Sequence, residues 1–232
     1  MKTTRREFLK SVGMGTTALM APNLFLNSCM KKDRPNIVFI MSDDHAERAI
    51  SCYNDALIQT PNIDRIASEG IRFQNSFVTN SICGPSRATL LTGKYSHLNG
   101  MLDHSCTFDG SQLTFPKLLQ QAGYHTSIVG KWHLKTEPTG FDYWNILKGQ
   151  GQYYNPDFTV NGEKQTHIGY TTDIITDQAL ETMDKLDKSK PFCMLIHHKA
   201  PHRNWMPNLK HLDAYTDEEI PLPANFHDEY IG

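Results

Sequence analysis

The sequence predicts an α/β protein built on a doubly wound, mostly parallel β-sheet flanked by helices. Apolar runs at residues 37–41 and 191–196 are typical of strands that are buried on both faces. Strand-like and helical segments alternate along the chain, as they do in sheets of this class. Polar clusters directly follow the predicted strands, where functional groups gather in such folds.

Each element follows from local signals. The first helix has Thr60 as its N-cap and Pro61 in its first turn, and it stops at Gly70. Residues 141–163 are rich in Tyr, Asn and Gly and are interpreted as irregular or as a small hairpin around Asn161-Gly162. The predicted order is strand 37–41, helix 60–70, strand 71–78, helix 86–91 before Gly93, helix 114–121 before Gly123, strand 124–129, helix 172–186 and strand 191–196.

Composition narrows the class of protein. The 232 residues carry 23 Lys and Arg against 25 Asp and Glu, a net charge of -2, so we expect no nucleic-acid partner. Hydrophobic residues make up 39%, enough for a globular core. Outside the first thirty residues no apolar run is long enough to cross a bilayer.

The N-terminus has the pattern of a bacterial export signal. A basic segment at residues 4–10 precedes a stretch without charges at residues 11–28. Arg5-Arg6 resembles a twin-arginine signal, and Leu26-Asn27-Ser28-Cys29 resembles a lipoprotein box whose cysteine is acylated. We therefore expect a signal at residues 1–29, lipidation of Cys29, a tether at residues 30–34 and a periplasmic or cell-surface lipoprotein. Its only membrane contact would be this anchor, and the alternative is a simple cleaved signal peptide.

The other cysteines do not form a recognisable framework. Cys52, Cys83, Cys106 and Cys193 are widely and irregularly spaced, and the sequence has no CxxC pair. This predicts neither a disulfide scaffold nor a zinc site.

Two acidic residues indicate a metal site. Asp43 and Asp44 are adjacent and follow a predicted strand, so their repulsion requires a cation or several hydrogen-bond donors. Oxygen ligands of this kind suit a hard cation such as calcium or magnesium. A helix cap beside a solvated acid is the alternative.

Cys83 lies at or just before a predicted helix N-terminus, because Pro85 takes a first-turn position. Backbone N–H groups there favour an anion or an activated nucleophile. Arg87, one turn later, could steady an oxygen-rich group at position 83. An ordinary buried cysteine and a surface arginine are the alternatives.

These residues carry a family resemblance. Cys83-Gly84-Pro85-Ser86-Arg87, followed by Leu91-Thr92-Gly93, resembles the sulfatase signature, in which the cysteine becomes formylglycine. Three further segments match in family order, and together they imply an alkaline-phosphatase-like catalytic domain over residues 35–232. They are residues 35–44 with the acid pair, residues 130–134 with Lys131 and His133, and residues 199–202 ending in His202.

The resemblance implies a role for each matching residue. Asp43, Asp44 and the modified Cys83 would bind one calcium ion, and formylglycine derived from Cys83 would be the nucleophile. Arg87 and His133 would orient and deprotonate it, Lys131 would bind a sulfate oxygen, and His202 would protonate the leaving oxygen. His198, Arg203 and Trp205 are weaker candidates for substrate contacts, and His197 is interpreted as structural.

Within the family, the segments around Asp44 and His202 are most similar to bacterial N-acetylglucosamine-6-O-sulfatases. This implies a sulfated carbohydrate substrate, 6-O-sulfated N-acetylglucosamine in heparin-like or mucin glycans. It also implies a formylglycine-generating enzyme as a maturation partner. The family supplies more metal ligands and a lysine from later segments, and we interpret the chain as an N-terminal fragment with weak activity on its own.

Two other functions remain open from the residues alone. A phosphatase or phosphodiesterase of the same superfamily shares the acid pair but normally uses Thr or Ser where Cys83 lies. A surface lipoprotein that binds sulfated glycans without hydrolysing them is the second alternative.

Overall fold

The computed structural model describes residues 34–223 and 225–229. Within them, six strands form one sheet in the order β1-β6-β2-β3-β4-β5. The strands are β1 (Ile37–Met41), β2 (His125–Lys131), β3 (Tyr143–Leu147), β4 (Asp157–Val160), β5 (Glu163–Thr166) and β6 (Phe192–His197).

The first four strands in the order of the sheet are parallel, β4 pairs antiparallel with β3, and β5 pairs antiparallel with β4. Strands β4 and β5 form a two-residue hairpin at Asn161 and Gly162, which both have positive φ. Asn-Gly favours this turn because both residues tolerate the left-handed conformation. The predicted hairpin is thereby confirmed.

Five helices of the described residues accompany the sheet. The first begins with Pro61 as predicted, but the Thr60 side chain bonds Ser51 and Asp64 instead of capping the helix. The second begins at Cys83, three residues before the predicted start, and ends at Gly93 with φ of 65°. The helices are α1 (Pro61–Glu69), α2 (Cys83–Thr92), α3 (Ser96–Asn99), α4 (Phe115–Gln121) and α5 (Thr171–Lys185), with 3-10 turns at Glu47–Ala49 and Leu209–His211.

The sheet has a core on each face. Alternate residues of β2 and β6 point to opposite sides, so that Ile128 and Leu195 pack with α2 residues while Val129 and Met194 pack against α5. Helices therefore cover both faces of the central parallel strands, which confirms the doubly wound fold class.

Two predictions about strands are wrong. Strand β1 is not buried on both faces, because Val38 and Ile40 on one face are 46% and 59% exposed. It is also an edge strand among the described residues, where it pairs only with β6. Residues 71–78 form no strand, although their apolar residues alternate with polar ones. No strand of the described residues lies beside them to accept the backbone hydrogen bonds that a strand needs.

The described cysteines agree with the prediction of no disulfide framework. Cys52, Cys83, Cys106 and Cys193 are all free thiols. Cys29 and the predicted export signal lie outside the described residues. None of the helices in the described part of the chain combines the length and apolar character that crossing a bilayer requires.

Candidate active site

The register of the parallel strands brings three polar segments to one edge of the sheet. Met41 at the end of β1 lies opposite His197 at the end of β6, which lies opposite Gly130 of β2. The residues that follow these strands, beginning with Asp43 after β1, therefore meet at the carboxyl ends. The Asp43 N–H donates to the Ala200 carbonyl over 3.0 Å and fixes the two loops together.

Two glycines permit the close approach at this edge. Gly130 has φ of 106°, and a Cβ there would lie 2.0 Å from the His197 carbonyl oxygen. At Gly84, in the first turn of α2, a Cβ would lie 2.9 Å from Met101 Cε and 3.3 Å from the His133 carbonyl oxygen. Side chains at these positions would push α2, β2 and β6 apart.

Cys83, the first residue of α2, therefore lies close to the ends of the strands. One ligand atom each of Asp43, Cys83 and His202 lies within 4.8 Å of the other two. Two ligands of a calcium ion, each about 2.3–2.6 Å from it, are up to about 5 Å apart. The separation of Asp43 from residue 83 therefore fits a hard cation once oxygen replaces the thiol sulfur.

Asp43 is a buried carboxylate shared by two buried cations. Lys131 Nζ donates to Asp43 Oδ2, and Arg87 Nη2 lies 3.5 Å from Oδ1. Both cations are almost completely removed from solvent. The carboxylate thus offsets charges from α2 and β2 that would be very unfavourable alone in the core.

Arg87 is only 2% exposed and is held rigidly. Its Nη1 donates to the Lys131 carbonyl oxygen over 2.7 Å and to His197 Nδ1 over 2.9 Å. Arginine can only donate, so His197 Nδ1 is the acceptor, and burial followed by the Arg87 charge lowers the pKa of His197 well below its usual value. This contact with Arg87 agrees with the structural role predicted for His197.

Two nitrogens of Arg87 make no hydrogen bond within the described part of the chain. Nε and Nη2 are buried without a hydrogen-bond partner among the described residues, although Nη2 lies within ion-pair distance of Asp43. Burial lowers the pKa of Arg87, whereas the Asp43 carboxylate raises it, and a guanidinium in a protein stays charged. These N–H groups are suited to an anionic oxygen beside Cys83.

Lys131 has a second partner that the sequence did not reveal. Its Nζ also donates to Gln150 Oε1. Gln150 lies in a glycine-containing loop after β3, and β3 itself was not predicted. A strand assigned to residues 143–147 would have placed the loop, and with it Gln150, at the same edge of the sheet.

His133 is held as a neutral imidazole. Burial, the Lys131 ammonium and His104 lower its pKa to about 4. Its ring centroid lies 4.9 Å from that of His104, another residue that sequence reasoning did not single out. Its Nδ1 is buried without a partner among the described residues, so His133 is available to accept a proton at neutral pH.

His202 has an orientation that its two ring contacts define. Its Nδ1 lies 2.7 Å from the Arg203 carbonyl oxygen, and its Nε2 lies 3.6 Å from Asp44 Oδ2. A carbonyl oxygen can only accept, so Nδ1 carries the proton and Nε2 faces Asp44 and the space beside Cys83.

The three residues predicted to contact the substrate are not part of the cluster of Asp43, Cys83 and His202. His198 is largely buried, and burial lowers its pKa. Arg203 is exposed and contributes its carbonyl oxygen to His202, while Trp205 is 73% exposed. Their contacts with a substrate stay predictions.

A cavity of about 550 Å³ opens beside these groups. Asp43, Asp44, Cys83 and Arg87 line it together with apolar side chains such as Val78. Such a volume accommodates a small organic ligand such as a monosaccharide.

The fold and the site together define a class of protein, a doubly wound α/β protein with a charged pocket at the carboxyl ends of its parallel strands. Comparison with known proteins gives the particular family. Residues 35–226 match the Sulfatase family, and the chain belongs to this family of sulfuric ester hydrolases.

Individual relatives agree. The chain is 58% identical over 202 residues to an N-acetylglucosamine-6-O-sulfatase of Bacteroides thetaiotaomicron and 30% identical over 219 residues to the human N-acetylglucosamine-6-sulfatase. These matches cover 86% and 84% of the chain but only 36% and 39% of the relatives.

A solved structure shows the same fold. BT4656 in complex with its substrate D-glucosamine-2-N,6-O-disulfate superposes with a TM-score of 0.84 and 58% identity. The match covers 86% of this chain and 41% of that one.

The buried charge cluster predicts unequal roles for the two aspartates in stability. Asp43→Asn, in a chelating buffer without free metal, leaves Lys131 and Arg87 unpaired and should lower the free energy of unfolding by about 3–5 kcal/mol. Asp44→Asn is the matched control, because its side chain is 55% exposed and should cost less than about 1 kcal/mol. Urea titrations would measure both, and equal losses would contradict this account of Asp43.

The position of His133 predicts an unusual titration. Its ring should stay neutral as the pH falls from neutral through the ordinary histidine range, with a midpoint at about 4. The folded pKa of His133 lies below the unfolded one. The contribution of His133 to the free energy of unfolding is therefore complete above the unfolded pKa of 6.5 and is lost as the pH falls toward 4. Histidine NMR, with His133→Gln to assign the signal, would measure the midpoint. A midpoint at the ordinary value would show that the ring is solvated.

Proposed function

We propose that this chain carries the catalytic centre of a sulfatase that removes 6-O-sulfate from N-acetylglucosamine residues of heparin-like or mucin glycans. The observation that carries the proposal is the cluster of Asp43, Cys83 and His202 within 4.8 Å, with Arg87 and Lys131 buried beside it. This cluster combines a metal-binding carboxylate, a nucleophile position, an acid and two cations for an anionic group.

The two cations are suited to the sulfate group. Lys131 is a compact charge that Asp43 and Gln150 hold in position, and Arg87 has two buried nitrogens that make no hydrogen bond among the described residues. Donors fixed in a site from which water is largely excluded stabilise developing negative charge without reorganising. They would hold the sulfate oxygens and orient sulfur toward residue 83.

Residue 83 is proposed to be formylglycine, whose hydrate supplies two hydroxyl groups in place of one thiol. The first turn of α2 places it 4.8 Å or less from the nearest ligand atoms of Asp43 and His202. Asp43, Asp44 and this residue would hold calcium, which when bound supplies positive charge opposite the sulfate. The adjacent carboxylates and the spacing of Asp43 from residue 83 support this choice.

The two histidines are suited to opposite proton transfers. His133 is neutral because burial and Lys131 lower its pKa, so it would accept the proton of the attacking hydroxyl. His202 presents Nε2 toward Asp44 and Cys83, and when it is protonated on both ring nitrogens it would deliver the Nε2 proton to the leaving alcohol oxygen and keep the Nδ1 proton. A sugar alkoxide is a poor leaving group, so this second transfer matters for a carbohydrate sulfate.

The names of the relatives support the sugar specificity. The Bacteroides and human proteins are both called sulfatases of N-acetylglucosamine at position 6, and BT4656 is described with a 6-O-sulfated glucosamine. Because the chain spans 36–41% of the Bacteroides enzyme and BT4656, the activity of the whole protein is part of the proposal. His198, Arg203 and Trp205 remain candidate sugar contacts.

Export as a bacterial periplasmic or cell-surface lipoprotein, anchored through Cys29, is also proposed, on the pattern of residues 1–29. Such a location would expose the site to extracellular glycans.

The proposal predicts a specific reaction. The full-length gene product containing this chain, co-expressed with a formylglycine-generating enzyme, should release sulfate from N-acetylglucosamine 6-O-sulfate faster than from its 3-O-sulfate isomer. Calcium chelation should reduce the rate and added calcium should restore it. Cys83→Ala should lower turnover by about 10³-fold or more, because the nucleophile is gone.

Two results would contradict the proposal. Faster release of phosphate from the 6-phosphate of the same sugar would favour the phosphatase alternative. Sulfated-glycan binding that survives Cys83→Ala, with no turnover by the parent, would favour the binding lipoprotein. Ion chromatography of released sulfate and phosphate measures both products in one assay.

A further inference from the structure

We propose that Lys199 is a positioning residue for His202, and that it orients the group that protonates the leaving oxygen. The inference deepens the proposed function and rests on it. Lys199 lies in the loop after β6, in the segment that ends with His202.

Lys199 and His202 share one acceptor. The Arg203 carbonyl oxygen lies 2.7 Å from His202 Nδ1 and accepts from Lys199 Nζ over 3.3 Å. A carbonyl oxygen has two lone pairs and can accept both bonds. The ammonium therefore restrains the carbonyl group that sets the direction of the imidazole.

The same lysine also closes the loop through its backbone. The His202 N–H donates to the Lys199 carbonyl oxygen over 3.1 Å. Lys199 thus holds the turn at two points, the His202 N–H and the Arg203 carbonyl oxygen. If the Arg203 carbonyl rotates, His202 Nδ1 loses its acceptor and Nε2 is no longer directed toward Asp44 and Cys83.

Tyr153 holds both partners in place. Lys199 Nζ lies 4.9 Å from the centre of the Tyr153 ring, and the Tyr153 hydroxyl donates to the His202 carbonyl oxygen. A cation over an aromatic face is stabilised electrostatically. The tyrosine is buried, so this arrangement is sheltered from solvent.

Burying the Lys199 ammonium costs free energy that only a compensating interaction can offset. The residue is 5% exposed, and among the described carboxylates none lies within ion-pair distance of its Nζ. Burial and then the nearby Lys131 charge lower its pKa, and Asp43 and Cys83 act in the opposite direction. An apolar side chain would pack here at lower cost, which indicates that the ammonium is kept for its hydrogen bond.

A positioning role differs from a structural one in its dependence on the leaving group. An aryl sulfate with an acidic phenol departs without a proton, whereas a sugar alcohol needs one. Misdirecting His202 should therefore slow hydrolysis of the sugar sulfate selectively. Partial unfolding lowers the amount of active enzyme and reduces both rates equally.

The test compares Lys199→Met with the parent in the full-length, matured gene product. We expect kcat/KM for N-acetylglucosamine 6-O-sulfate to fall about tenfold or more, because misdirecting His202 removes part of the rate that a general acid contributes. The kcat/KM for 4-nitrophenyl sulfate should fall less than about twofold. His202→Gln should show the same selectivity. Lys210→Met, at an exposed lysine paired with Asp173, is the matched control and should change neither rate.

The ratio of the two kcat/KM values cancels the concentration of active enzyme, and Lys199→Gln replaces the Met variant if that protein does not fold. Equal losses on both esters, or no loss on the sugar sulfate, would overturn the positioning role.

A second readout does not depend on turnover. Histidine-labelled NMR at alkaline pH should show the Nδ1–H tautomer of His202 in the parent and a mixture of tautomers in Lys199→Met. An unchanged tautomer would overturn the inference. If the parent hydrolyses neither ester, the proposed function fails, and the NMR result alone decides whether Lys199 orients His202.

Discussion

The buried carboxylate of Asp43 is the group on which the rest of the site depends. It ties the loop after β1 to Lys131 at the end of β2 and to Arg87 on α2, three segments that are far apart in sequence. Breaking either contact leaves an uncompensated charge in the core, so the segments are stable only together. Gly130 makes the convergence possible, because a Cβ there would clash with the His197 carbonyl oxygen, and Gly84 lets α2 pack closely against the His133 backbone and the Met101 side chain.

The charges of the site are not fully matched to one another. Asp43 offsets two cations, while Arg87 still has buried donors and Asp44 still has an exposed carboxylate. The first feature suits an anionic ester and the second suits a cation. His133 and His202 have different environments, which give one a lowered pKa and the other a fixed tautomer. The opposite proton-transfer roles that we propose for them rest on these environments more than on the residue type.

Much of the fold was predictable because β1, β2 and β6 have strong local signals and parallel strands bring their carboxyl ends together. The candidate site residues followed from motifs at those ends. Gln150 was missed because β3 contains polar Asn145 within a Tyr- and Gly-rich region and was not recognised as a strand. Lys199 has no local signal either, since its importance depends on Tyr153 and the Arg203 carbonyl. The prediction of a strand at residues 71–78 was wrong for the opposite reason, because a strand-like sequence pattern does not supply a neighbouring strand to pair with.

The most direct test of the central claim is the mass of the tryptic peptide 73–87 after co-expression with a formylglycine-generating enzyme. The account predicts that the aldehyde or its hydrate replaces the thiol of Cys83, because the signature around it is complete in this chain. An unmodified thiol, with a control sulfatase modified in the same cells, would remove the nucleophile from the site and contradict the account.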